Sequence, residues 1–338
     1  ARVVRDLDHF GQPVIFQPID EFPFFSFLLG DNHPHKLALP FVLLCIGLAL
    51  NLLLKKAAGP PAAADQASTP GSGWLTRAWQ RRAEAWQYAF YALALGGLGF
   101  LNTWDMPIYV ALALLGYAGG KMRSGARPGL RLLLHTLALG AGLGLGAVLL
   151  YLFFYLGFAS QAGGILPYVF RPTRLAHYLV MFGPFIPILV IFVALAARKA
   201  GGQRVPWAAA GRAWLWIAGL SLGGYLLVVL IAAGVLSVIG LQTLPIVQAW
   251  LGGETPMQVV GRILTARVTQ PWLFLLLSGL LALATAAILR GGKPTAAPTS
   301  DAGAHPQLSP AALFALLLAL AGLGLTLAVE FFYLRDNF

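Results

Sequence analysis

Asp31, His33 and His35 occupy alternate positions in Gly30-Asp-Asn-His-Pro-His35, with Asp20 and Glu21 shortly before them. If 31–35 is extended, a side-chain period of two puts all three groups on one face. A carboxylate with two imidazoles suits a divalent cation. It equally suits general-base chemistry, with an imidazole orienting the carboxylate or binding a phosphate. Pro34 adds a third reading: at the first turn of a following helix, it makes His33 an N-cap and Asp31 a favourable charge near a helix N-terminus. D-x-H-x-H is a loose metal pattern, so all three stay open. Arg171, Arg174 and His177 lie in Tyr168-Val-Phe-Arg-Pro-Thr-Arg-Leu-Ala-His177. Two arginines and a histidine beside aromatic residues suit a phosphate or diphosphate; the alternative is a solvated rim of snorkelling side chains. Asp105 is a further candidate acid, or the N-cap of a helix with Pro107 just inside it and Trp104 as an interfacial anchor. Glu330 sits among Val329, Phe331, Phe332 and Tyr333. An ionisable group there is a functional candidate, and pairing with Arg335 or another arginine is the structural account.

The elements that must position these residues are set by composition. The chain has 338 residues, of which 58% are hydrophobic and 10% charged, and its mean hydropathy is +0.75. Soluble domains carry about 25% charged residues, so a water-soluble globule is excluded. Several apolar runs reach the roughly 20 residues of a membrane-spanning helix. The pattern predicts an all-α polytopic bundle of about eight spans, at 35–54, 86–102, 105–120, 131–157, 177–198, 212–236, 271–289 and 311–332. The short connection 102–107 makes the second and third spans a tight hairpin. Gly140, Gly142, Gly144 and Gly146 give overlapping G-x-x-x-G spacings that let helix backbones approach closely. With no G-K-[ST] following, they are not a phosphate loop. Pro184 and Pro187 are expected to kink the fifth span. The single cysteine, Cys45, excludes an internal disulfide and a cysteine metal cluster.

The net charge of +11 is a topology signal and not a nucleic-acid footprint. The loops starting at 55, 121, 198 and 290 hold 15 of the 23 basic residues, against only Asp65, Glu84 and Asp301. By the positive-inside rule that side is cytoplasmic, which leaves the acidic motifs extracytoplasmic. Segments 57–73 and 291–310, rich in Ala, Pro, Gly, Ser and Thr, read as cytoplasmic linkers. Trp74, Trp79 and Trp86 with Arg77, Arg81 and Arg82 predict an amphipathic interfacial helix, a membrane anchor or acidic-lipid site. The apolar run 22–29 is too short to span, so residues 1–34 are expected to form an outer lead with a short interfacial or re-entrant helix, ahead of a transmembrane domain at 35–338. In 240–270, Thr255-Pro-Met-Gln258 predicts a capping box. The helix after it should rest on the membrane with Val260, Ile263, Leu264 and Val268 as its apolar stripe and Arg262 off it.

Glu21-Phe-Pro-Phe-Phe-Ser-Phe-Leu-Leu-Gly-Asp-Asn-His-Pro-His35 with Leu39-Pro-Phe41, Leu101-Asn-Thr-Trp-Asp-Met-Pro107 and Glu330-Phe-Phe-Tyr-Leu-Arg-Asp336 together span nearly the whole chain. They are similar to three motifs of the uncharacterised bacterial and archaeal "YYY" membrane-protein family; Asn32 departs from the Leu more usual there. The resemblance implies a distant relationship to the GT-C membrane glycosyltransferases, which take sugars from polyprenyl-phosphate donors on the outer face. It also implies an internal fragment, with further spans before Arg2, a segment after Asp336 and a principal catalytic carboxylate before Ala1.

On that basis the expected function is a GT-C-like glycosyltransferase in the cell membrane, with membrane lipid, a polyprenyl-phosphate sugar and a glycan acceptor as partners. Asp31 or Glu21, with Asp20 and Asp105 as further candidates, would position or deprotonate the acceptor hydroxyl. Arg171, Arg174 and His177 would neutralise the lipid-phosphate leaving group, with Trp104 and Glu330 completing the substrate side. His33 and His35 would orient the carboxylates or, with Asp31, hold a divalent metal such as Mg or Mn. The alternatives are a transporter or flippase of a polar or lipid-linked substrate, which would place charged groups in broken helices near the midplane, and a non-catalytic subunit, whose polar residues would pair with one another.

Overall fold

A chain this apolar must satisfy its backbone polar groups from within, because hydrocarbon offers them no partners. The computed structural model describes residues 28, 30, 34–55, 73–159, 162–240, 243, 247, 248, 251, 253–291 and 308–336, and these are mostly helical. After the single turn α1 (Pro34–Leu37) come α2 (Leu39–Leu54), α3 (Gly73–Leu101), α4 (Asp105–Arg123), α5 (Leu130–Leu150) and α6 (Leu152–Gly157). Strand β1 (Ala162–Pro167) precedes α7 (Leu175–Phe182), α8 (Phe185–Ala200) and α9 (Trp207–Ala218). A π turn at Gly219–Gly223 carries α9 into α10 (Gly224–Ile239). Then follow α11 (Pro256–Thr269), α12 (Trp272–Gly291), α13 (Pro310–Ala328) and β2 (Phe332–Asp336).

Among the described residues, four helices are long and apolar enough to cross a membrane: α5, the continuous α9–α10 rod, α12 and α13. The bent pair α7–α8 makes a fifth if it counts as one span. Its 90° break falls at Gly183-Pro184, where the proline ring removes a helix hydrogen bond and clashes with the preceding turn. Pro187 lies in the first turn of α8, where it is tolerated. The capping box also forms: Gln258 N–H donates to Thr255 Oγ1 at 3.3 Å, and Thr255 N–H donates to Gln258 Oε1 at 2.8 Å.

The chain is not purely α. β1 and β2 pair antiparallel, Leu166 opposite Tyr333 and Pro167 opposite Phe332, with a bulge between Ala162 and Gly164. Gly164 has φ +119°, a conformation that favours glycine. The last helix therefore ends at Ala328, and Phe332 begins the strand instead of closing a span. Helix 131–157 is broken at Tyr151, and the expected interfacial helix is not separate: α3 runs unbroken from Gly73.

The described chain divides into two compact units. In the one built on Phe22–Ala159 and Gly291–Leu318, α2 and α4 pack backbone to backbone. A Cβ on Gly116 would run into the Ala49 carbonyl oxygen, and one on Gly120 would lie 2.6 Å from that of Leu52. The expected close-approach stripe on α5 is only half used. Gly140 meets Leu114 and Gly146 meets Ala92, but Gly142 and Gly144 face open space. Gly142 lines a groove of about 340 Å³ with Tyr88, Ala92 and Leu139. Polar side chains tie α2 to α3: Tyr91 Oη donates to Asn51 Oδ1 at 2.9 Å, and Gln87 Nε2 donates to the same oxygen at 3.2 Å.

The second unit, built on Ser160–Arg290 and Ala319–Phe338, has a continuous apolar core. Tyr225, Val229, Leu251, Val260, Ile263, Leu273, Leu277, Leu323 and Phe331 are buried together. Trp214 Nε1 donates to the fully buried Ser278 Oγ at 3.0 Å, and Ser278 in turn donates to the Phe274 carbonyl. The buried face of α11 is Pro256, Val259, Val260 and Ile263. Leu264 and Val268 point out, Val268 being 77% exposed, so the expected stripe is rotated by its second half.

Gly116→Val forces a side chain into the α2 backbone and should destabilise by about 1–3 kcal/mol. Gly142→Ala meets nothing and should be neutral or stabilising by up to about 1 kcal/mol. Melting temperatures of the detergent-solubilised variants check both.

Candidate functional site

The polar cluster of the second unit centres on Glu330, 3% exposed, in the turn between α13 and β2. Arg267, near the end of α11, approaches its carboxylate at 3.5 Å, with side chains only 8% and 4% exposed. Arg267 Nη2 also donates to the Glu330 backbone carbonyl. Taking both charges out of water costs several kcal/mol each unless the geometry returns it. The guanidinium lies over two neighbouring rings, 4.8 Å from the Phe331 centroid and 5.4 Å from that of Tyr225, and desolvated cation–π contacts are among the stronger ones.

These residues hold segment 168–174 at its backbone. Tyr168 N–H donates to the Phe331 carbonyl at 2.7 Å, and Tyr225 Oη donates to the Tyr168 carbonyl at 2.5 Å. Arg262 Nη1 donates to the Val169 carbonyl at 3.1 Å while its Nε bonds Glu254 Oε2 at 2.8 Å. Thr173 N–H donates to Glu330 Oε2 at 3.1 Å. Val169 and Pro172 are buried. Burial pushes the Tyr168 phenol above the ordinary tyrosine value and the Glu330 charge pushes the same way, so this hydroxyl stays neutral at physiological pH.

From this held segment Arg171 projects exposed. Arg174, partly exposed, is the N-cap residue of α7 in extended conformation. Neither makes an ion pair among the described residues. The α7 N-terminus has no side-chain cap, so its unsatisfied N–H groups add positive potential beside both arginines. His177 follows within the first turn of α7. Its Nε2 is buried without a partner among the described residues, as are Arg267 Nε and Gln270 Oε1.

Of the expected site residues, Arg171, Arg174, His177 and Glu330 come together in this unit. Glu330 is not a free substrate ligand: its carboxylate is engaged by Arg267 and by the Thr173 amide. Asp105 and Trp104 belong to the other unit. Asp105 is the first residue of α4, and Trp104, 50% exposed, holds the N-cap position, so the cap expected at Asp105 is shifted by one residue. Asp20, Glu21, Asp31 and His33 lie outside the described residues, as does the His35 side chain. No cluster of three metal-ligating side chains occurs among the described residues, and the Asp31–His33–His35 set falls outside them.

Arg267, Arg262, Glu254, Tyr225 and Thr173 were not singled out by type and spacing as site residues. Their available signal was two arginines on α11 in a region that otherwise leans acidic, with Glu330 needing a cation.

Arg267→Met leaves the Glu330 charge buried without its partner and should cost about 3–5 kcal/mol, read as a lowered melting temperature in detergent. Combining it with Glu330→Gln removes the stranded charge and should recover part of that loss.

No curated protein and no solved structure matches this chain. The match that exists agrees in kind with the sequence resemblance, an uncharacterised family of membrane proteins. With the model for the family described as Uncharacterized membrane protein (DUF2298) matching residues 8–338, nearly its full length, the chain belongs to that family.

Proposed function

We propose that the protein is a membrane-embedded, GT-C-like glycosyltransferase that uses a polyprenyl-phosphate sugar on the outer face of the membrane. One observation carries this reading: Arg171 and Arg174 are held on a segment anchored through its backbone, beside an uncapped helix N-terminus, with no carboxylate partner among the described residues. Glycosyl transfer from such a donor breaks the bond between the anomeric carbon and the phosphate oxygen, so negative charge grows on the departing lipid phosphate. Preorganised guanidinium groups stabilise that charge without reorganisation during the step. The acceptor hydroxyl must lose its proton, and Asp31 or Glu21, with Asp20 and Asp105 as alternatives, would take it or orient the hydroxyl. His33 and His35 would orient those carboxylates, or with Asp31 hold Mg or Mn. Trp104 would pack against the sugar or lipid, and His177 would complete the phosphate side. The arrangement in eight crossings with basic loops inside belongs to the same proposal.

A second reading is favoured by one feature. The 90° break between α7 and α8 is the kind of discontinuous helix around which transporters build midplane sites, which suits a flippase for a lipid-linked substrate. A non-catalytic membrane subunit has no comparable support, since Arg171 and Arg174 have no ion-pair partner among the described residues.

Purified protein in proteoliposomes, supplied with a panel of polyprenyl-phosphate sugars and a glycan acceptor, separates the readings. Arg171→Ala with Arg174→Ala should lower donor consumption by about 10²–10³-fold at equal folded amount. Movement of the donor between leaflets without its consumption would favour the flippase instead.

A further inference from the structure

The buried pair beneath the exposed arginines has a directional arrangement. Glu330 Oε2 faces Arg267 on one side and the Thr173 amide on the other. Thr173 lies between Arg171 and Arg174, and its own side chain is exposed. The Thr173 amide is thus a direct tie between the carboxylate and the stretch that carries both cations. The other three ties, at Tyr168 N–H, Tyr168 C=O and Val169 C=O, all lie before Arg171. Without the Glu330 contact, the chain between buried Val169 and α7 would keep Pro172 but lose the one polar anchor that the described residues give it on the far side of Arg171. We infer that Glu330 is a positioning residue: buried and unable to reach a substrate itself, it sets the spacing of Arg171 and Arg174 so that both reach one phosphate group. Arg267 holds the Glu330 carboxylate in place. This rests on the reading of Arg171 and Arg174 as phosphate ligands, and it gives Glu330 a role distinct from the substrate contact expected of it.

Glu330→Gln is the direct variant, but it leaves Arg267 unpaired in the core and risks unfolding. Thr173→Pro removes the amide proton, and its ring also fixes φ, while both charged side chains stay in place in the sequence; Thr173→Ala keeps the amide as a conservative control. One arm follows the segment itself, by a nitroxide on Arg171→Cys, the native Cys45 being buried. The label should become more mobile with Thr173→Pro and stay as in the parent with Thr173→Ala. Unchanged mobility in the proline variant overturns the inference.

The second arm measures binding of a polyprenyl monophosphate to the protein in nanodiscs. Affinity should fall about tenfold with Thr173→Pro, the size of one hydrogen bond to a charged group, and not with Thr173→Ala. Added to Arg171→Ala/Arg174→Ala, Thr173→Pro should cause no further loss, because the coupling runs through those two side chains. An equal loss in both backgrounds overturns the positioning role. If the label responds but the parent binds no polyprenyl monophosphate, the phosphate reading fails while the anchoring of the segment by Glu330 stands.

Discussion

A lipid bilayer offers no hydrogen-bond partner to a peptide group or a charge, and most of the architecture follows from that one constraint. Helices answer it for the spans. Where the chain leaves helix between α6 and α7, and again after α13, the two irregular stretches answer it for each other by pairing as β1 and β2. The same demand explains why serine and threonine side chains in the helices return to their own backbone, as Ser221 does to Ile217 and Thr326 to Gly322. The Arg267–Glu330 pair is the most costly instance, two full charges in a core of Tyr225, Phe331 and Leu327.

Arginines of one small region meet this constraint in three ways. Arg267 is enclosed and spends its donors on a carboxylate and a carbonyl. Arg262 is half enclosed and bridges Glu254 to the Val169 carbonyl. Arg171 is left exposed, with no ion-pair partner among the described residues. A guanidinium is always charged and presents several donors in a fixed plane, so the first two act as struts while the third stands exposed at the surface of the unit. The division of labour is one of burial, not of residue type.

That also marks where sequence reading stops. The apolar runs, the Pro184 break, the capping box at Thr255 and the tight turn at 102–105 follow from local chemistry and were legible. That Glu330 must meet a cation was legible as well, but its partner is Arg267, 63 residues away, whereas Arg335 is close in sequence. The β1–β2 pairing joins stretches that each look like the ragged end of a hydrophobic run, so an all-α reading was natural and incomplete. Glycine spacing misled for a related reason. Gly142 and Gly144 have the right interval, yet close approach needs a facing helix, and Gly116 and Gly120 on α4 are the ones that have it. The paired carboxylate and histidine motif near the start of the chain was visible as a pattern, and pattern alone cannot place it against the arginines.

The strand pairing of residues 162–167 with 332–336 has a consequence for biogenesis. A contact of such long sequence separation forms only after the intervening helices have been inserted, and bringing distant segments together is entropically slow. Segment 168–174 is held by Tyr225 and Arg262 and also by Glu330 and Phe331, and the last two are synthesised well after the others. Until then this segment lacks those two anchors, so its backbone is among the last parts of the unit to be fixed.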